Sequence, residues 1–435
     1  MSERREGASP LPRAGTSLGY AAGALAALYP GMLPRPVWIQ CVLILILGGI
    51  GAATVGSVRH VWRRTGIQMR TTAFALSTVA VTAAAAGWTG WQDSLRAVAG
   101  LAHVSVLDGL GVWFCAAVIP IGARLTASRL TEIAQRRRSS HPPMSLWGRD
   151  LRHRVVVVAL ATAVVAWPAG AVSSAARADT TTPTSPGSRF AAISSAEPGV
   201  RVYIPLDAGA TPQARADLAV THLIAAGGLT RRAVVIAVPT GSGWVDAHAV
   251  TGTESVLGGD VAVVAVQYAA MPSWQAFLLH RDAATATSDA LVEALARRLP
   301  PGHPPVYLFG QSLGAVGALA AAERARVVGL SIARVLVSGL PASSGSHPER
   351  RTLLQANDSD PVAIWKPALA WTPAHADVSR GLGGAPLPRP AWVPGLSFLQ
   401  TTVDLLGATA QPVGVGHRYD ERQGSALVAP VAPTL

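Results

Sequence analysis

The chain has 435 residues, of which 50% are hydrophobic and only 14% are charged, and its formal net charge is +12. Soluble globular proteins carry about 25% charged residues, so the low charged fraction indicates membrane segments. The two cysteines, Cys41 and Cys115, both lie in apolar runs of the N-terminal half, which excludes a disulfide framework or a cysteine-based metal site in the C-terminal half.

Apolar stretches dominate the N-terminal half, and a membrane-spanning helix needs roughly 20 such residues. We predict five transmembrane helices, at residues 16–32, 37–57, 71–91, 104–123 and 155–175. Residues 1–177 are therefore predicted to form a membrane domain. Asp108, near the start of the fourth stretch, is interpreted as an interfacial residue rather than a functional acid within the membrane.

The arginines alternate between rich and poor loops. They cluster before the first stretch, between the second and third, and most densely between the fourth and fifth. The positive-inside rule places these loops in the cytoplasm, so the N-terminus is predicted to be cytoplasmic and the part after residue 175 extracytoplasmic, in a multi-pass plasma-membrane protein. This topology accounts for the basic run 136–138 without a nucleic-acid partner.

The fifth stretch also resembles an internal signal sequence, because Ala-Arg-Ala at residues 176–178 fits a cleavage site. An uncleaved anchor is the simpler interpretation, since four apolar stretches precede it. Residues 178–195 are predicted to be a linker on the basis of the Thr, Pro, Ser and Gly residues at positions 180–188.

From residue 196 to residue 435, short β-branched runs alternate with alanine-rich stretches. This pattern is typical of an α/β domain with a mostly parallel sheet and helices on both faces. The predicted strands are residues 201–205, 233–238, 261–268, 306–309, 334–338 and 352–356. The predicted helices are residues 212–226, 284–299, 313–326 and 398–408, and residues 373–394 are predicted to be a loop.

The strand at residues 306–309 runs directly into Gly310-Gln311-Ser312-Leu313-Gly314, and a small-residue helix follows. This is the G-x-S-x-G pattern of a nucleophile elbow, in which a sharp turn exposes the serine hydroxyl. Ser312 is therefore the candidate nucleophile. The backbone N–H of Leu313, at the start of a helix, is the candidate donor to a developing oxyanion.

In this fold the acid and then the histidine follow the serine along the chain. Asp358 and Asp360 are both candidate acids, and their spacing alone does not choose between them. Of the two later histidines, His417 is favoured over His375 because glycines flank it and let the loop reach over the sheet.

Further oxyanion donors are expected after an early strand, and Thr240 and Gly241, within residues 236–244, are predicted for this role. The glycine pair there lacks the lysine of a phosphate-binding loop. The remaining histidines lack metal-ligand spacing. We therefore expect neither a cofactor nor a metal.

Several motifs together resemble a known family. They are Leu-Pro-Arg-Pro (33–36), Pro-Thr-Gly-Ser-Gly-Trp-Val (239–245), Gln-Tyr followed by Pro-Ser-Trp (267–274), Tyr-Leu-Phe-Gly-Gln-Ser-Leu-Gly (307–314), Ser-Asp-Pro-Val (359–362) and Gly-His-Arg-Tyr (416–419). The set is similar to the actinobacterial α/β-hydrolases that carry an N-terminal multi-helix membrane domain. The resemblance implies Asp360 as the acid, with Ser312 and His417 as its partners. Gln311 departs from the glutamate of the family pattern.

These features predict a membrane-bound serine hydrolase that cleaves carboxylic esters of lipid or cell-envelope origin through an acyl-serine intermediate. The alternatives are acyl transfer to an envelope lipid or sugar by the same triad, and a non-catalytic envelope scaffold. The apolar stretches 270–279 and 364–371 are interpreted either as an acyl pocket or as lid and core packing.

Overall fold

The computed structural model describes residues 11–58, 66–118, 185–271, 275–276, 279, 281–346, 348–349, 352–379 and 381–429. The chain divides into two compact units, Met1–Thr180 and Thr181–Leu435.

The N-terminal unit is helical in its described part. Its helices are α1 (Ala14–Leu28), α2 (Val37–Ser57), α3 (Ile67–Val98) and α4 (Val106–Trp113), and α4 continues as a π-helical turn (Phe114–Val118). By length and composition, α2 and α3 are long and apolar enough to cross a membrane. Helix α3 has 32 residues and extends beyond the predicted stretch at both ends. The predicted helix at residues 155–175 lies outside the described residues.

Glycines let α1 and α2 pack closely. A Cβ at Gly19 would lie 2.2 Å from the carbonyl oxygen of Gly51, and one at Gly23 would lie 1.9 Å from that of Leu47. Such small-residue contacts are common between helices in membranes. Asp108 lies in the first turn of α4, where its N–H donates to the Ser105 Oγ at 3.1 Å, so it lies at a helix start.

The C-terminal unit contains a six-stranded parallel sheet, which confirms the predicted α/β fold. The strands are β1 (Val200–Ile204), β2 (Ala233–Val238), β3 (Val261–Val266), β4 (Val306–Gln311), β5 (Ile332–Ser338) and β6 (Thr352–Gln355). Their order in the sheet is β1-β3-β2-β4-β5-β6. Strands β2 and β3 are buried along their whole length, as expected for parallel strands covered on both faces.

Two hydrophobic cores cover the faces of the sheet. Helices α6 (Pro212–Ala225), α8 (Arg281–Arg298) and α9 (Leu313–Val327) pack in the first core. Helices α5 (Pro186–Ala191), α7 (Ala247–Leu257) and α12 (Arg422–Val428) contribute to the second.

Helix α5 lies inside the stretch that the sequence predicted to be a linker. Ser185 accepts a hydrogen bond from the Ser188 N–H and so caps the helix. Phe190 is buried and its ring centroid lies 5.7 Å from that of Tyr203. One buried aromatic ring among polar residues leaves no hydrophobic period in the sequence, so the pattern alone indicated a linker.

Helices α7 and α12 were not predicted either. They pack against each other through glycines, since a Cβ at Gly252 would lie 2.1 Å from the Glu421 carbonyl oxygen and one at Gly424 would lie 2.1 Å from that of Ala249. A contact made by glycine backbone has no apolar side chain to mark it, so it leaves no hydrophobic period in the sequence.

A long irregular segment follows β6. It contains α10 (Pro361–Ile364), a 3-10 turn (Pro367–Ala370), α11 (Leu396–Asp404) and a second 3-10 turn (Leu405–Ala410). The helix predicted at residues 398–408 therefore spans α11 and the turn after it. Within the predicted loop 373–394, Gly383 forms an isolated β-bridge with Ala356, the residue after β6.

Candidate active site

Ser312 lies in the sharp turn between β4 and α9. Its φ is 56° and its ψ is −123°, and among the described residues it is the one non-glycine residue with a positive φ. Residues held in such sparsely populated conformations cost about 1–3 kcal/mol and cluster at functional sites. The Ser312 N–H donates to the carbonyl oxygen of Ser338 at 3.0 Å, which ties the turn to the end of β5.

The two glycines of the motif allow this turn to close. A Cβ at Gly310 would lie 2.1 Å from the carbonyl oxygen of Gly314. A Cβ at Gly314 would lie 2.3 Å from the carbonyl oxygen of Val238 and 2.6 Å from that of Pro239, at the end of β2. Both positions are too crowded for any side chain, and the second brings the start of α9 against the loop that follows β2.

The loop after β2 carries Thr240 and Gly241, both predicted as oxyanion donors. The Thr240 N–H donates to the carbonyl oxygen of Trp244 at 2.8 Å, so it is occupied within the loop. This corrects the prediction of Thr240, because a tight turn uses that N–H for its own closure. Among the described residues no acceptor is found for the N–H of Gly241 or of Leu313.

Two side chains support this loop from neighbouring strands. Tyr203 on β1 donates from its hydroxyl to the carbonyl oxygen of Gly243 at 2.7 Å. Gln267, directly after β3, accepts from the Leu206 N–H at 3.2 Å and donates to the Ala269 carbonyl oxygen at 2.9 Å. A Cβ at Gly243 would lie within 2.8 Å of both the Tyr203 hydroxyl and the Gln267 amide nitrogen, which fixes the loop in place.

Asp360 and His417 form a buried pair. The Asp360 Oδ2 lies 2.9 Å from the His417 Nδ1, and the Asp360 Oδ1 accepts from the Val362 N–H at 2.9 Å. Asp360 is completely buried and His417 is 5% exposed. The Nε2 of His417 is also buried and has no hydrogen-bond partner among the described residues. With Nδ1 held by the carboxylate, Nε2 is the nitrogen free to accept a proton.

The loop that carries Asp360 also holds the histidine loop. The side-chain amide of Asn357 donates to the carbonyl oxygens of Gly416 and Arg418, both at 2.8 Å, on either side of His417. Ser359 Oγ accepts from the Gly416 N–H at 3.0 Å. Sequence reasoning missed Asn357 and Ser359. Their position in the same polar turn as the acid is the signal that could have identified them.

Ser312 and His417 are linked through two consecutive residues. Ser338 accepts from the Ser312 N–H, and the next residue, Gly339, lies against the imidazole. A Cβ at Gly339 would lie 2.3 Å from His417 Cε1 and 2.7 Å from Nδ1. Gln311 also donates to the His417 carbonyl oxygen at 3.4 Å. The structure thus pairs the predicted base with Asp360 and ties the turn of Ser312 to the residue before Gly339, while no hydrogen bond in the described part of the chain joins Ser312 to His417 Nε2.

The alternative residues are placed elsewhere. Asp358 forms an ion pair with Arg389 at 3.0 Å, and its side chain is 42% exposed. His375 is exposed in the loop after β6. Of the two acids that spacing left open, Asp360 is the one that contacts His417.

A third side chain joins the pair, and the sequence analysis did not single it out. Tyr419 is buried and its hydroxyl donates to the same Asp360 Oδ2. Burial, reinforced by the Asp360 carboxylate, raises the pKa of the Tyr419 phenol well above its ordinary value. The phenol is therefore a permanent donor. The spacing of two residues from His417 is the signal that could have indicated it.

A second carboxyl group, Asp246, is buried nearby. It caps α7 by accepting from the His248 N–H at 2.9 Å, and burial raises its pKa. Its side chain also interacts with Gln423, which lies 3.1 Å from the Ser338 hydroxyl. These buried polar side chains therefore connect to the turn of Ser312 through Ser338.

Within the described ranges, no group of three or more His, Cys, Asp or Glu side chains is placed to hold a metal ion. The site described above is built from a serine, a histidine, an aspartate and backbone N–H groups.

Comparison with known proteins adds the family. A sequence model of the Alpha/beta-hydrolase family matches residues 200–349 and 342–434. The comparisons with curated proteins and with solved structures return no match. The matched ranges cover more than half of the chain and include all six strands and the Ser312, Asp360 and His417 positions. The chain therefore belongs to the alpha/beta-hydrolase family.

Proposed function

We propose that this protein is a membrane-bound serine hydrolase that cleaves carboxylic esters through an acyl-Ser312 intermediate. The observation that carries the proposal is the buried Asp360–His417 pair, which has an Nε2 unpaired among the described residues and an imidazole against Gly339, the residue after the Ser338 that binds the turn of Ser312. A serine hydroxyl is a weak nucleophile until an adjacent base removes its proton.

In the acylation step the Ser312 Oγ attacks the ester carbonyl carbon while its proton passes to His417 Nε2. The carbonyl oxygen becomes an oxyanion, which the N–H groups of Leu313 and Gly241 stabilise. When the carbon–oxygen bond to the leaving group breaks, the alcohol takes the proton from His417. Asp360 keeps the imidazole in the working tautomer and stabilises its cationic form.

Deacylation repeats these steps with water. His417 Nε2 takes a proton from the water as its oxygen attacks the acyl carbon. The oxyanion forms again in the same hole, and its collapse releases Ser312, which recovers the proton, together with the carboxylic acid. Each proton that His417 accepts is returned, so the enzyme ends the cycle unchanged.

The membrane part of the proposal is supported by helices α2 and α3, which are long and apolar enough to span, and by the alternation of arginines between loops. We infer a multi-pass plasma-membrane protein whose N-terminus is cytoplasmic and whose catalytic unit is extracytoplasmic.

The substrate class is inferred from the segment between the acid and the base, residues 361–410, which we term the cap segment. Asp360, just before the segment, caps α10. Near the end of the segment, the Ala408 carbonyl oxygen accepts from the His417 N–H at 2.8 Å. Within it, Trp371 is 67% exposed and Leu406 is 76% exposed. Large apolar side chains exposed on a segment tied to the site at both ends suit an ester with a long acyl chain, such as a lipid.

The test is hydrolysis of p-nitrophenyl acetate, butyrate, octanoate and palmitate by the full chain purified in detergent. We expect the longer esters to be preferred, and Ser312→Ala or His417→Ala to lower kcat/KM by at least about 10³-fold. Undiminished hydrolysis by the folded Ser312→Ala protein would contradict the mechanism. Product analysis with a competing alcohol separates hydrolysis from acyl transfer, since transfer yields a new ester in place of the acid.

A further inference from the structure

We propose that Tyr419 is a positioning residue of this triad, whose hydroxyl shares the Asp360 Oδ2 with His417 and so limits how strongly that carboxylate stabilises the imidazolium. The inference rests on the proposed function and extends it to the control of the base.

The geometry brings three donors to one carboxylate. Val362 N–H occupies Oδ1, while His417 Nδ1 and the Tyr419 hydroxyl share Oδ2. The Tyr419 oxygen lies 3.4 Å from His417 Nδ1, and the two rings meet edge to face with centroids 5.5 Å apart. Because His417 Nδ1 carries a proton when it binds the carboxylate, it cannot accept a hydrogen bond from the phenol. The acceptor of the Tyr419 hydroxyl is therefore Asp360 Oδ2.

The phenol cannot leave this role by ionising. It is fully buried, and the Asp360 and Asp246 carboxyl groups both act on it from within the same pocket of the fold. A negative phenolate beside a carboxylate is unfavourable, so the hydroxyl stays protonated and keeps donating.

The consequence for His417 has a defined sign. A hydrogen bond to a carboxylate stabilises its negative charge and weakens it as a partner for a neighbouring cation. Removing the Tyr419 hydroxyl leaves more of that charge facing the imidazole, so the protonated imidazole becomes more stable. The pH at which the base loses its activity on acidification therefore rises.

Other titratable or charged groups lie around the cluster and are left in place by a change at Tyr419. They are Asp246, His248, Arg418, Glu421 and the Asp358–Arg389 pair. Gly339, directly after β5, lies against His417 and Tyr419 and carries no charge. Gln355 on β6 and Gln423 on α12, which accept from the Ser338 hydroxyl, are also uncharged.

The experiment measures kcat/KM for p-nitrophenyl butyrate against pH with the full chain in detergent. In Tyr419→Phe we expect the midpoint of the acid limb to rise by about 0.5 to 1 pH unit, with kcat more affected than KM. Tyr307→Phe is the matched control, because Tyr307 lies on β4 and packs against the second core. Its profile should stay at the wild-type position.

A second variant, with 3-fluorotyrosine at position 419, keeps the hydroxyl and nearly the same volume. Its more acidic phenol is a stronger donor, so the same midpoint should fall below the wild-type value. This variant decides the question if Tyr419→Phe does not fold. Opposite shifts from the two changes distinguish donation to Asp360 from a purely structural role.

If the wild-type protein is active and both variants keep the wild-type midpoint of the acid limb, the role of Tyr419 is overturned and the proposed function stands. A folded wild-type protein without esterase activity would overturn the proposed function, and the role of Tyr419 with it.

Discussion

Gly314→Ala tests whether the contact between the nucleophile turn and β2 determines catalysis. The added Cβ would lie 2.3 Å from the Val238 carbonyl oxygen and 2.6 Å from that of Pro239. Ordinary carbon–oxygen contacts are about 3.3–3.6 Å long, so the backbone must separate by roughly 1 Å. Overpacking of this kind costs about 1–3 kcal/mol, which corresponds to a fall of roughly 2–12 °C in Tm for a unit of this size.

The catalytic loss should exceed the loss of stability. The same movement carries the Leu313 N–H away from the loop of Gly241, and a misplacement of about 1 Å costs roughly 10²-fold in rate. Steady-state kinetics and thermal unfolding on the same preparation check both effects. Gly383→Ala is the control, because its nearest contact would be an ordinary 4.0 Å to Val378. Wild-type activity and Tm in Gly314→Ala would refute the reasoning.

Three further outcomes are expected. Asn357→Ala removes the donor to two carbonyl groups of the histidine loop. Tm should therefore fall by an amount equivalent to about 1–3 kcal/mol, and kcat/KM should fall roughly tenfold or more. Unchanged kinetics would contradict this role of Asn357. Burial alone would raise the pKa of Glu254, but bonds from Arg201 and a backbone N–H lower it below its ordinary value. Its contribution to stability is therefore present above about pH 4.3 and is lost on further acidification, so Tm of Glu254→Gln should depend less on pH in this range, as thermal scans would show. Replacing Trp371 and Leu406 together by serine should lower kcat/KM for p-nitrophenyl palmitate but not for the acetate, and equal losses would argue against an acyl-binding cap segment.

The sheet and the nucleophile turn were the most predictable parts of the chain. Strands β2 and β3 are continuous β-branched and alanine runs because both faces are buried, and this leaves a clear signal in the sequence. Gly310 and Gly314 lie so close to neighbouring backbone that a Cβ on either would be about 2 Å from a carbonyl oxygen. No other residue fits at these two positions, so the glycines of the motif are required. Local sequence therefore predicts this part of the site.

The contacts between distant loops were not predictable. Spacing left Asp358 and Asp360 equivalent, and only the folded loop separates an exposed ion pair from a buried partner of His417. The sequence predicts Thr240 as an oxyanion donor because it does not reveal how the loop closes. In the folded loop the Thr240 N–H binds the carbonyl oxygen of Trp244, four residues later. Tyr419 meets Asp360 across 59 residues of chain, and its place two residues after His417 does not by itself predict that contact.

The account depends most directly on an activated serine at position 312. Its test is labelling of the full chain in the membrane fraction with a fluorophosphonate probe, followed by peptide mapping, in wild type and in Ser312→Ala. The account predicts one adduct on Ser312 in the wild type, loss of that adduct in Ser312→Ala, and strongly slowed labelling in His417→Ala. A folded wild-type protein that is not labelled, or one whose label persists in Ser312→Ala, would contradict it.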